Sequence, residues 1–169
     1  LHLSLRRQRQ MCIRDSIFNV ADKAKEVNKN LEGKIKKIES QAGSGTKDGA
    51  AALYITPGST EFYTYGSSSM VQPILDANGL KNLYGNNSKR VFDASMEDVL
   101  HKNPKWIVLL AGTGDASKVE STFLGFKGAK ELDAVKNGHV VVLPFSLIDP
   151  PSPSSITGVE KLHELMAEK

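Results

Sequence analysis

The 169-residue sequence has a single cysteine, Cys12, and one tryptophan. With one thiol, no intrachain disulfide can form and no multi-cysteine metal site exists. No run approaches the ~18 consecutive apolar residues that a membrane-spanning helix needs. No P-loop, G-x-G-x-x-G, H-E-x-x-H or G-x-S-x-G pattern occurs, so the common signatures of nucleotide binding, zinc proteolysis and serine hydrolysis are missing. His101, His139 and His163 are scattered without metal-ligand spacing. No internal repeat is present.

The formal charge of +3 is concentrated in one place. Residues 6–16, RRQRQMCIRDS, hold Arg6, Arg7, Arg9, Arg14 and Cys12. A basic arm for nucleic acid or a transit segment would use such arginines, but no amphipathic face or cleavage pattern follows. The genetic code offers a third reading: the stretch translates a transposase-type sequencing-library adapter in frame. The preceding index and CTACAC account for residues 1–5, including Leu1 and His2. Residues 1–16 are therefore expected to be a translated artefact at a contig edge, with native chain missing before Ile17. Setting aside their four arginines and one aspartate from the 22 basic and 19 acidic side chains leaves 18 of each. The electrostatic case for nucleic acid disappears with them, and the sole cysteine goes too.

From residue 17 the pattern is helical. Val20, Ala24, Val27, Leu31, Ile35, Ile38 and Ala42 recur at steps of three or four, a single apolar stripe. The spacing predicts one amphipathic helix over 17–42, in a segment that ends by residue 44 at a glycine–serine break. Residues 45–169 then alternate. Strands are expected at 50–56, 61–66, 106–112 and 139–145. Helices are expected at 67–79 (serines at its start), 95–103 (Ser95 as cap), 115–125 and 128–138, and a final one opens at Ser152–Pro153. Ile156, Val159, Leu162, Leu165 and Met166 should face inward in that last helix. This order argues an α/β domain with a mainly parallel sheet.

Polar-aromatic stretches sit at the edges of the core elements: FYTYGSSS (62–69), RVFD (90–93), AGTGD (111–115) and PFSLIDPPSP (144–153). Ligands of parallel sheets bind beyond the carboxyl ends of the strands. Tyr63, Tyr65, Phe92 and Phe145 are thus candidates to stack on a planar or apolar ligand, with hydroxyls from Ser67, Thr113 and Ser146. A different class remains open: a small α/β enzyme or phosphate-binding domain using the loop at 112–115, whose amides precede a helix.

Four segments in order, TYGSSSMVQPILDANGLKNLY, FDASMEDVLHKNPKWIVLL, ELDAVKNGHVVVLPF and SPSSITGVEKLHEL, resemble the second half of substrate-binding proteins of ABC importers. The branch resembled is the one that delivers ferric siderophores, haem and cobalamin. The resemblance implies two α/β lobes joined by one long helix, with ligand in the cleft between them. It makes 17–44 similar to the interlobe helix and 45–169 to a Rossmann-like C-terminal lobe. It further implies a non-enzymatic capture protein with no cofactor, outside the membrane and often lipid-anchored. Its partners would be a ferric siderophore, or alternatively haem or cobalamin, and an ABC permease. Glu97, in SMEDVL, matches the glutamate by which this lobe docks on the permease. One departure is LIDPPSPSS (147–155), which lacks the arginine many relatives place there. That shifts the expected ligand from anionic ferric catecholates toward a neutral hydroxamate complex or another macrocycle.

Overall fold

The computed structural model describes residues 21–42, 47–112, 115–150 and 152–169. The chain divides into two compact units, residues 1–34 and 35–169. In the first, the described residues are all helical and form the start of α1 (Ala21–Ala42). Ala24 and Leu31 are half-buried there, whereas Val27 is 48% exposed. The expected stripe is thus only partly buried in this unit, whose described part contains no second element to cover it.

The second unit is built on one sheet. Its strands are β1 (Asp48–Ile55), β2 (Phe62–Tyr65), β3 (Leu80–Asn82), β4 (Val91–Ala94), β5 (Trp106–Ala111) and β6 (Val140–Pro144). The order is β4-β2-β1-β5-β6. β1, β5 and β6 run parallel, and β2 is antiparallel to both β1 and β4. One edge of β1 is shared between two partners. β3 pairs in parallel with Asp48–Ala50, and β2 takes Leu53–Ile55. Every residue of β5 is buried, as an all-apolar run in a sheet covered on both faces requires.

The helices are α2 (Val71–Ala77), α3 (Met96–Lys102), α4 (Ala116–Leu124), α5 (Asp133–Lys136), α6 (Phe145–Ile148) and α7 (Ser154–Ala167), with a 3-10 turn at Ala129–Glu131. On one face of the sheet Ala50, Ala52, Val108 and Leu110 pack with Ile38 of α1, Ile74 of α2 and Leu162 of α7. On the other, Ala51, Leu53, Ile107 and Leu109 pack with Val119 and Phe123 of α4 and with Leu132. The alanines of β1 let both layers approach closely. Gly158 does the same for α7: a Cβ there would lie 2.4 Å from the carbonyl oxygen of Leu147.

Several local expectations are corrected. Ser95 caps α3 as expected, accepting from the Asp98 amide at 3.1 Å. The serines before α2 do not cap it. Ser69 is buried and donates to the Gly66 carbonyl instead. The helix expected over 128–138 is split at Leu132, whose backbone is extended. Leu132 is turned into the core. Asn103, in the left-handed conformation that ends α3, restarts the chain: its side chain accepts from the Asp133 amide and donates to the Asp133 carboxylate. α6, β3 and β4 were not anticipated, and α7 opens at Ser154 with Pro153 at its cap position and no side-chain cap from Ser152. In α7 Val159 and Leu162 are buried, Leu165 and Met166 pack partly against the core, and Ile156 is half-exposed. No helix among the described residues is long and apolar enough to cross a membrane.

Candidate functional site

A strand of only four residues presents two side chains to each face of a sheet. In β2, Phe62 and Thr64 face the α4 side, while Tyr63 and Tyr65 face the α7 side. Phe62 is sealed by an edge-on contact with Phe126 at 5.3 Å. Thr64 is buried and donates to the Ala52 carbonyl at 3.0 Å. The register carries the alternation into β4: Tyr63 lies opposite Asp93, and Tyr65 opposite Val91. Tyr63 also lies opposite Tyr54 of β1. Tyr54, Tyr63, Tyr65 and Val91 therefore share one surface.

α6 completes this surface. Its single turn places Phe145 and Asp149, four residues apart, on the same side. The Phe145 ring meets Tyr54 edge-on at 5.2 Å, and Asp149 pairs with the guanidinium of Arg90, just before β4. Tyr54, Tyr63, Tyr65, Arg90, Val91, Phe145 and Asp149 enclose an open concavity of about 300 Å³. Tyr63 is 42% exposed and Val91 37%. They are the two large apolar side chains of the second unit that remain so open among the described residues, and they are diagonal neighbours across the strand pair.

The sequence between Gly66 and Arg90 holds the rim in place. The Gly66 amide donates to the Arg90 carbonyl at 3.2 Å, and the Ser67 amide donates to the Asn87 carbonyl at 2.9 Å. A Cβ at Gly66 would lie 2.3 Å from the carbonyl oxygens of both Asn87 and Lys89, so only glycine permits this approach. Asn82, buried, donates to the carbonyl of Tyr65 and to Gln72, and accepts from the Tyr84 amide. Burial is the main reason that the Tyr65 phenol is pushed far above its ordinary pKa; the negative charge of Asp149 adds to it. Tyr65 thus stays a neutral hydroxyl donor.

Of the expected site residues, the structure brings together Tyr63, Tyr65 and Phe145. Ser146 is exposed at the next position of α6. Ser67 is exposed, and its hydroxyl is used on the Asn87 carbonyl at 3.1 Å. Phe92 is apart from the group. One residue along β4 from Val91, it turns to the opposite face and packs edge-on against Tyr84 at 5.9 Å. Thr113 lies outside the described residues, as does Gly114 of the loop that the enzyme alternative requires. Glu97 is exposed in the first turn of α3. The surface also differs in place from the expectation: it spreads over the sheet face near the β2–β4 edge rather than lying wholly beyond strand tips. Tyr54, Arg90, Val91 and Asp149 also line the concavity and were not among the expected residues. Arg90, the arginine that pairs with Asp149, lies 59 residues upstream of it.

The geometry is an aromatic, open concavity on one α/β unit. Comparison with known proteins decides the family. The family model described as periplasmic binding protein matches residues 15–147. The chain belongs to that family. Among solved structures, this periplasmic binding protein chain is similar to an ABC-type Fe3+-hydroxamate transport system protein from Saccharomonospora viridis. The two are 34% identical with a TM-score of 0.82, over 92% of this chain and 53% of the other. It also resembles Staphylococcus aureus IsdE, solved with haem, at 23% identity and a TM-score of 0.74, over 94% of this chain and 63% of the other. The haem-binding protein HutB of Vibrio cholerae is 16% identical with a TM-score of 0.73, over 90% and 59% of the two chains. The last two likenesses concern the fold alone. No curated protein sequence matches the chain. The chain spans roughly half to two thirds of the length of these structures.

Proposed function

We propose that this chain serves the extracytoplasmic capture of a metal chelate, a ferric hydroxamate siderophore in the first place, for an ABC importer. The observation that carries the reading is the exposed Tyr54–Tyr63–Phe145 concavity on a chain 34% identical to a Fe3+-hydroxamate transport protein. An apolar, aromatic surface with a few fixed polar groups suits the organic shell of such a chelate. Stacking and edge contacts to the rings would supply affinity. The tyrosine hydroxyls would meet the oxygen-rich periphery of the ligand.

In the same reading, residues 1–16 are adapter-derived and α1 is the helix between two lobes. Delivery runs through Glu97. An exposed carboxylate at a helix start is available to an arginine on a permease, and such charge contacts set orientation and on-rate. Two experiments test the two parts. Titration with a neutral ferric trihydroxamate should give saturable binding; no binding of any chelate would remove the capture role. Glu97→Arg should leave chelate affinity within about twofold and abolish uptake in cells; uptake at the wild-type rate would remove the docking role.

A further inference from the structure

The Arg90–Asp149 pair is not explained by packing. Asp149 is 7% exposed, whereas the Arg90 side chain is 56% exposed at the rim of the concavity. One carboxylate oxygen of Asp149 takes the guanidinium. The other is buried and has no hydrogen-bond partner among the described residues. Tyr54 and Tyr65 line the same concavity, but neither hydroxyl hydrogen-bonds to that oxygen. A half-satisfied buried carboxylate costs stability rather than adding it. Its position in the concavity is therefore better explained by what it does to the ligand surface.

Arg90 is the sole cation lining that concavity among the described residues, and Asp149 the sole anion. Together they leave the lining with no net charge. Without Asp149, the lining would keep a guanidinium with no carboxylate beside it in the concavity, a group suited to bind carboxylates and other oxyanions. We propose that Asp149 is a specificity-determining residue: by neutralising and holding Arg90 it makes the site select neutral and cationic tris-hydroxamate chelates and reject trianionic tris-catecholates. This rests on the capture reading above.

The test uses the whole chain and three gallium(III) chelates: a neutral tris-hydroxamate, a tris-hydroxamate carrying a free ammonium, and a tris-catecholate of charge −3. Affinities are read by nuclear magnetic resonance titration for wild type, Asp149→Asn and Arg90→Gln. One unit charge a few ångströms from the ligand, partly screened, is worth about tenfold or more. Wild type should prefer both hydroxamates over the catecholate by at least about that factor. Asp149→Asn should move the ratio toward the catecholate by about tenfold, and Arg90→Gln should move it toward the ammonium-bearing chelate. Opposite shifts from the two partners separate a charge selector from a structural tie, which would weaken all three ligands together. Arg90→Gln lies at the surface and keeps the test valid if Asp149→Asn folds poorly. The proposal is overturned if the charge preference is unchanged in Arg90→Gln, or if wild type prefers the tris-catecholate. If none of the three chelates binds wild type, the capture reading itself fails, and the selector with it.

Discussion

The two faces of the β2–β4 corner are built from the same residue types and differ in what covers them. On the α4 side, Phe62 and Phe92 meet Phe126 and Tyr84, and the Thr64 hydroxyl donates to the Ala52 carbonyl. On the α7 side, Tyr63 and Val91 remain open, and the nearest cover is the single turn of α6. The lesson is that aromatic content alone does not mark a binding surface. Alternate residues of one four-residue strand serve the core and the solvent-facing concavity. What distinguishes them is the register that assigns each ring to a side.

The sharpest way to break this contrast is to remove a ring from each side. Phe62→Ala, on the sealed side, should cost about 3–5 kcal/mol of folding stability, measured by denaturant unfolding. Gly66→Ala comes next. Its Cβ would press on two backbone carbonyls, and overpacking of this kind costs about 1–3 kcal/mol. It should also displace Arg90 and so lower chelate affinity. Tyr65 stands at the boundary between the two environments, buried yet lining the concavity. Its folded-state pKa is raised, so its contribution is complete below the ordinary tyrosine pKa and is lost as pH rises beyond it. Stability should therefore fall at alkaline pH, and Tyr65→Phe should blunt that fall in melts across the range. The smallest effect on folding belongs to Tyr63→Ala. Half in solvent, it should change stability by no more than about 0.5 kcal/mol, while chelate affinity drops by about tenfold.

Much of the architecture was legible in the sequence because it rests on local chemistry. Ser95 announces α3, the WIVLLA run announces a strand buried on both faces, and Gly138 ends the helix before β6. What was not legible depends on long-range geometry. Phe92 was grouped with Tyr63 because both sit in short polar-aromatic stretches, but only the β2–β4 register shows that they face opposite ways. Arg90 and Asp149 lie 59 positions apart and meet only in the fold. Leu132 splits an expected helix because its side chain belongs in the core and because Asn103, from α3, offers a better cap.

In the proposed capture role, the open side of this corner, and not the sealed side, meets the chelate. The direct measurement is a backbone amide resonance map of the chain titrated with a neutral gallium trihydroxamate. Saturable shifts should centre on Tyr54, Tyr63, Tyr65, Arg90, Val91 and Phe145. Shifts centred on Tyr84, Phe92 and Phe126 instead, or no shift at any residue, would contradict it.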